Sequence, residues 1–405
     1  MLKSSYYLLK IKSNKINNMS YYNLASYKTK IDSKDTIARK IDGSPIRELK
    51  IRPENFLNRS TAIYAASGGG KTTIIRDIIR TIGDFISLCF VWSPTEDQNL
   101  GFQDIVPRAS IFTEFEPKDI DEMITSIWQR QKASVITYKK ATKSKVLVDL
   151  FGIVAKSKDK LKLEGICKTR EKITRAFDRT IDTCHPEEKG YYEEEKKIII
   201  DNLNLIQTEF FRKVINKRKR KLKHRKLSED EQFCVDNLGF SPAICLVFDD
   251  CAHALPIANQ KKPNFRNLFL AGRHNYITVL IAVHNRANLD KTINDNISRA
   301  IFCSKQVASL ASNRIDSASK SDLSEFKHNI TSIFNSSVEH RKMVYIGNSP
   351  DPFRWIKAKK IDFEEDEDKR KYVGSRYVIK FLKSVESNND EIPTNNPYAK
   401  MFGIA

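Results

Sequence analysis

The chain has little that would tie it to a membrane or to the secretory pathway. Its seven cysteines, Cys89, Cys167, Cys184, Cys234, Cys245, Cys251 and Cys303, are scattered through 405 residues with no CxxC pair among them. Cys184-His185 lacks a partner pair at zinc-finger spacing, so structural zinc is not expected. Cys89, Cys245 and Cys303 fall in apolar runs and read as buried strand residues, which suits the reduced thiols of an intracellular protein. No apolar run is long enough to span a bilayer. The short patch Tyr6–Leu9 is interrupted by Lys10, and no small-residue cleavage site follows, which argues against a signal peptide. A soluble, intracellular protein with no membrane partner is therefore expected. A hydrophobic fraction of 40% supplies core for one large or two ordinary domains. No internal repeat stands out.

Acidic residues are also in deficit. The chain carries 70 Lys and Arg against 50 Asp and Glu, a formal net charge of +20. The excess is uneven. Residues 1–60 hold 13 Lys/Arg against 5 Asp/Glu, and residues 131–240 hold 27 against 17. Everything else is close to neutral. Basic appendages on a neutral core suggest a polyanionic partner, most simply DNA or RNA. A lysine-rich bias from AT-rich coding is the bland alternative.

The chain divides by pattern. Residues 1–55 are polar and basic and read as an N-terminal arm. Residues 56–131 read as the first part of an α/β core. Thr61–Ala65 is a short β-type run, and Lys71–Thr81 is helical by the spacing of Ile74, Ile75, Ile78 and Ile79. Ile86–Trp92 is a buried strand stopped by Ser93-Pro94, and Asp119–Gln131 is a helix. Residues 132–240 break the rhythm and read as a basic, mainly helical insertion. Within it, Lys217–Lys226 holds eight Lys/Arg among ten residues. A DNA contact, a nuclear localisation signal and a solvated helix end all fit that run. It has no aromatic residue, so base stacking on single strands is poorly supported. The second part of the core is expected at 241–360, with strands at Ile244–Phe248, Ile277–Val283 and Ala300–Cys303, a helix at Phe265–Gly272, and a late hairpin from Val344–Ile346 and Phe353–Ile356. Residues 361–405 read as a polar tail.

Within this frame lies a phosphate-binding loop. Ala65-Ala66-Ser67-Gly68-Gly69-Gly70-Lys71-Thr72 follows a strand and opens a helix. Small residues let backbone N–H groups turn towards phosphates, the lysine reaches the β- and γ-phosphates, and the threonine hydroxyl ligates Mg2+. The helix N-terminus, including Thr73, adds its positive end. Only Ala65, in place of the usual first glycine, departs from the pattern. A second site is expected where an apolar strand ends in a carboxylate. Leu246-Val247-Phe248-Asp249-Asp250 supplies it, with Asp249 on the metal side and Asp250 polarising the attacking water. Gly272-Arg273-His274-Asn275 precedes the strand that ends at His284-Asn285. His284 or Asn285 is a candidate sensor of the γ-phosphate. Arg273, in cis or across a subunit interface, is a candidate to stabilise transition-state charge, with Arg299 as a second choice.

Taken together, Ala65–Thr72, Val91–Thr95, Leu246–Asp250 and Asn267–Val279 resemble the genome-packaging ATPases of large DNA viruses, the poxvirus-type enzymes of the FtsK–HerA division of P-loop ATPases. The resemblance covers about 61–131 and 241–310. It implies a ring-forming motor, a homo-oligomer that hydrolyses ATP with Mg2+ to drive double-stranded DNA into a capsid, with capsid or portal-like partners and a virus factory or virion as its location. That family usually has a polar Gln where this chain has His284, and the 132–240 insertion has no place in it. The expected fold is a three-layer α/β P-loop NTPase of the RecA/FtsK–HerA kind with a mainly parallel sheet. Two other functions stay open: a nucleic-acid-binding assembly protein with a regulatory nucleotide site, and another P-loop enzyme such as a nucleotide kinase.

Overall fold

In the computed structural model the described residues are 38–251, 255–312, 320–335, 340–347 and 349–387. Eight strands form one sheet: β1 (Ser60–Tyr64), β2 (Leu88–Trp92), β3 (Ile111–Phe112), β4 (Ile244–Asp249), β5 (Ile277–Val283), β6 (Arg299–Phe302), β7 (Lys342–Tyr345) and β8 (Phe353–Ile356). Their order is β3-β2-β4-β5-β1-β6-β7-β8. The first six run parallel, and β7 and β8 form an antiparallel hairpin at one edge, Tyr345 opposite Phe353.

The strands are apolar on both faces because both faces are covered. Ala62, Tyr64, Leu246, Phe248, Val279 and Ile281 point into one layer. Ile120, Ile124 and Trp128 of helix Pro117–Ala141 and Phe265, Leu268 and Phe269 of helix Pro263–Leu270 complete that layer. The alternate residues Ile63, Cys245, Val247, Leu280 and Ala282 point into the other. There they meet Ile74, Ile75, Ile78, Ile79 and Ile82 of helix Lys71–Ile82. This is the three-layer α/β P-loop architecture with a mainly parallel sheet.

Three expected boundaries move. Helix Pro117–Ala141 runs unbroken through the expected junction at residue 131. It starts on the core and ends in the insertion, and Gln131 fixes it to the sheet by donating to the carbonyl oxygens of Pro242 and of Asn275, the latter at 2.7 Å. The expected N-terminal arm is core from residue 38 onward. Ala38 and Ile46 are buried, Leu49 N–H donates to Trp355 O at 2.8 Å, and Trp355 N–H donates to Arg47 O at 3.1 Å. Residues 1–37 of that arm lie outside the described residues. The expected polar tail is packed as far as 387. Val373 N–H donates to Ile105, and Val378 and Leu382 of helix Arg376–Ser387 are buried. Their apolar spacing makes them core, whatever the charge around them. Residues 388–405 of the tail lie outside the described residues.

The insertion is helical: Ser144–Val154, Ser157–Thr183, Pro186–Lys217 and Glu229–Asp236 follow the long entry helix. It has its own apolar cluster, including Leu147, Leu150, Phe151, Phe211, Ile215, Leu222 and Cys234. It docks on the sheet at the N-terminal ends of the strands. Asn202 donates to Leu57 O at 3.0 Å and accepts from Asn58 at 2.9 Å, just before β1. Glu195 pairs with buried Arg59 at 2.7 Å.

Candidate nucleotide and metal site

The parallel strands leave their C-terminal ends at one edge, and every residue of the candidate site except the two arginines, Arg273 and Arg299, lies there. Gly70 sits at φ +84° as the N-cap of helix Lys71–Ile82, a conformation that L side chains rarely adopt. Gly69 has no room for a side chain: a Cβ there would lie 2.7 Å from Ala65 Cβ and 2.9 Å from Ala66 O. Ala65 is buried where the usual first glycine would be, and its methyl group is part of the contact that makes Gly69 obligatory. Ala66, Ser67 and Gly68 are exposed at the crest of the loop. Lys71 is buried at the start of the helix, with Thr72 and Thr73 half-buried beside it.

β5 lies between β1 and β4, so the tip of β5 stands between the P-loop and the two aspartates. Thr72 Oγ1 donates to Asp249 Oδ2 at 3.3 Å, joining residues 177 apart in sequence. Lys71 Nζ donates to Ala65 O at 3.3 Å and forms an ion pair with Asp250 Oδ1 at 2.9 Å. His284 Nε2 lies 3.6 Å from the same Asp250 oxygen. Asp250 itself has φ +55°, a left-handed conformation uncommon outside glycine and tolerated by Asp. That turn swings its carboxylate back toward Lys71.

Asp249 is 4% exposed, and its second oxygen, Oδ1, is buried without a partner. Burial, followed by the charge of Asp250, pushes its carboxyl up to about 7 against the pull of Lys71. A buried orphan carboxylate oxygen beside a threonine hydroxyl is the donor set a divalent cation would use, so the residues fit Mg2+. Among the described residues no group of three His, Cys, Asp or Glu could hold a metal alone. Thr72 and Asp249 with phosphate oxygens and water make the mixed set that Mg2+ favours.

Arg273 is the first exception. It lies in the turn Gly272–Asn275 at the N-terminal end of β5, paired with Glu194 of the insertion. Seven residues of strand separate it from His284, about 23 Å at 3.3 Å per residue. The expectation that Arg273 acts in cis is therefore corrected: a residue before a parallel strand emerges at the edge away from the phosphates. Arg299, at the start of β6, is corrected for the same reason. It is 2% exposed and sits with Arg59 and Glu195. Asn285 is also occupied, its side chain accepting from Ala287 N–H at 2.8 Å to cap the next turn. That leaves His284 as the polar group facing Asp250.

Sequence reasoning missed Glu96. It is 1% exposed and accepts from the N–H groups of Gly101, Phe102 and Gln103 at 3.0, 2.7 and 3.1 Å. The loop it gathers lies against the metal side of the site: a Cβ on Gly101 would be 3.0 Å from Thr72 Cγ2. Arg76, on the P-loop helix, bonds Asp104 at 2.6 and 2.8 Å and also the Gly101 carbonyl, bolting the loop to that helix. Glu96 follows the noted Ser93-Pro94-Thr95 by one residue, but no spacing rule marks it.

No protein-family model matches the chain. The chain resembles a viral protein over most of its length. It is 24% identical over 400 residues to the uncharacterized protein B354L of African swine fever virus from a Malawian tick isolate, covering 89% of this chain and 98% of the relative. The same protein from a Kenyan pig isolate is 23% identical over 393 residues, with the same coverage. These relatives are African swine fever virus proteins, not poxvirus ones. Among solved structures, the cytoplasmic domain of the type VII secretion ATPase EccC of Thermomonospora curvata aligns with a TM-score of 0.34 at 11% identity, over 86% of this chain and 30% of that one. The conjugation coupling protein TcpA of pCW3 aligns with a TM-score of 0.33 at 14% identity, over 81% and 66%. Likenesses this distant carry no argument; the fold stands on its own strand order and P-loop. No helix among the described residues is long and apolar enough to cross a membrane.

Proposed function

We propose that this protein is a Mg2+-dependent ATPase that moves double-stranded DNA, working in viral genome packaging as a homo-oligomeric ring with capsid or portal-like partners. The observation that carries the ATPase reading is the contact of Thr72 with Asp249, with Lys71 beside Asp250, from segments 177 residues apart. Lys71 neutralises charge on the β- and γ-phosphates. Thr72 and Asp249 would hold Mg2+, which would supply further charge neutralisation at the phosphates. Phosphate binding takes Lys71 from Asp250, whose freed carboxylate then orients the attacking water. His284 keeps that carboxylate in place. The DNA reading is supported by the concentration of positive charge in appended segments, and the viral setting by the likeness to B354L.

The test is Lys71→Ala. It is expected to fold as the parent does and to lose ATP hydrolysis; turnover at the parent rate sinks the assignment. The parent is expected to hydrolyse ATP faster with duplex DNA, and to form a ring-sized assembly with ATP and DNA. Hydrolysis that is slow and indifferent to DNA would favour a regulatory nucleotide site on an assembly protein.

A further inference from the structure

We propose that the segment Lys217–Lys226 is a preformed docking surface for the phosphate backbone of a nucleic-acid duplex, on the insertion and away from the nucleotide site. The proposal rests on the DNA-directed part of the proposed function and is independent of hydrolysis. The segment is a fixed knuckle. It begins at the last residue of helix Pro186–Lys217 and passes through the turn Lys219–Leu222. Leu222 is 3% exposed and plugs the insertion's own apolar cluster. Arg218 donates to Val154 O at 3.2 Å and also to Asp159, and Lys219 Nζ donates to Val235 O at 3.4 Å. These anchors hold the backbone while Lys217, Arg220, Lys221, Lys223, Arg225 and Lys226 remain exposed.

Apart from Arg218, which pairs with Asp159, no Lys or Arg of the knuckle forms an ion pair with a described residue. No Asp or Glu occurs between Glu209 and Glu229. Two further acidic neighbours are engaged elsewhere: Asp230 by Lys143 at 2.8 Å, and Glu231 by the N–H of Ser228 at 2.8 Å. Lys156, Lys158 and Lys160 are exposed around Asp159 and extend the basic surface past Arg218. A duplex presents about one negative charge per 1.7 Å of its axis, so a compact cluster of point charges finds several phosphates within reach. With no aromatic side chain in the segment, stacking on separated bases contributes nothing, which favours a duplex over a single strand. The surface reads charge and spacing, not sequence.

The test compares the full chain with a variant in which Arg220, Lys221, Lys223 and Arg225 are each changed to Gln. A control variant carries Gln at the exposed Lys172, Lys189, Lys305 and Lys327, with the same loss of net charge. Binding to a duplex DNA oligonucleotide and to its single strand is measured across a salt series, with no nucleotide. The knuckle variant is expected to bind duplex about tenfold or more weakly, and its dependence of log affinity on log salt is expected to flatten by about 3. Its melting temperature and basal ATP hydrolysis are expected to match the parent's. The control is expected to keep most of the affinity and slope. Equal losses in both variants would reduce the effect to net charge and overturn the proposal. So would an unchanged slope in the knuckle variant, equal parent affinity for single strand and duplex, or parent binding to anionic phospholipid vesicles but not to duplex. A parent that binds duplex through the knuckle yet fails to hydrolyse ATP would sink the motor and leave this surface standing.

Discussion

Replacing Asp249 by Asn is expected to make the nucleotide-free protein more stable while removing its hydrolysis. Asp249 is 4% exposed, and its carboxyl ionises near 7 in the fold against 3.8 in a free chain, raised first by burial and then by the charge of Asp250. A group whose folded value is raised binds its proton more tightly when folded, so stability falls as pH rises between the two values. Once ionised, above about pH 7, this carboxylate costs the folded state about 4 kcal/mol, at roughly 1.4 kcal/mol per tenfold. Asn removes that cost and keeps the bond to Thr72, because its carbonyl oxygen can replace Oδ2. Its amide nitrogen then occupies the buried position where Oδ1 has no partner, a loss of about 2 kcal/mol. The net gain is therefore about 2 kcal/mol at pH 8, vanishes near pH 5, and becomes a loss of about 2 kcal/mol towards pH 4, where Asp249 carries its proton in both states. Urea denaturation of both proteins at pH 5 and pH 8, without nucleotide or metal, measures it. Mg2+ with ATP is expected to stabilise the parent and not the variant. A variant that is less stable than the parent at pH 8, or that still turns over ATP, would refute the reasoning.

Asp250→Asn is expected to retain ATP binding and lose most turnover, since Asp250 is assigned to the attacking water and not to the metal; nucleotide binding and single-turnover hydrolysis check the split. Arg76→Ala removes the two-bond partner of the fully buried Asp104 carboxylate, leaving it only Arg80 at 3.5 Å and the Glu364 N–H at 3.4 Å, and is expected to cost about 3 kcal/mol, read by denaturation. Glu195→Gln removes the acidic partner facing Arg59 and Arg299. Burial opposes the ionisation of Glu195, but Arg59, Arg299 and Arg273 outweigh it and hold the carboxyl below its ordinary range. Its stabilisation is thus present above the ordinary Glu value and is lost as pH falls through the depressed one. A deficit of about 3 kcal/mol at pH 7 that closes in acid is expected from the paired melts.

Much of the core was legible because its signals are local. Continuous apolar runs of β-branched residues mark strands buried on both faces, and Ile74, Ile75, Ile78 and Ile79 mark one helix face. Gly-Lys-Thr after a strand and Asp-Asp at a strand's end are equally local, and the fold brings the two together at one edge of the sheet. What failed was the inference of position from proximity in sequence. Gly272-Arg273 lies close in sequence to the strand that ends at His284, yet a parallel strand carries its start and its end to opposite edges of the sheet. Glu96 failed for another reason. Its role depends on three N–H groups five to seven residues later and on the approach of Gly101 to Thr72, which no periodicity records. The same holds for 38–55 and 361–387, where charge concealed the few apolar residues that pack.

The two edges of the sheet divide the work. The C-terminal ends of β1, β4 and β5 gather Lys71, Thr72, Asp249, Asp250 and His284. The N-terminal ends of β1, β5 and β6 hold Arg59, Arg273 and Arg299, of which Arg59 and Arg273 are ion-paired to the insertion helix Pro186–Lys217 and Arg299 lies beside Glu195. β5, β1 and β6 are neighbours in the sheet, so the helix bears on the strand that leads into the P-loop and on both strands beside it. Close-packed strands shift together, not singly. A load on the insertion therefore has a short route to the P-loop, through the five residues of β1. The pairs that transmit it are charged, and Arg59 and Arg299 are buried around one carboxylate. Glu195→Gln thus separates two roles for these contacts. If they only dock the insertion, the variant loses stability and keeps the parent's degree of DNA stimulation. If they also couple it, stimulation falls while duplex affinity and basal hydrolysis stay at parent levels.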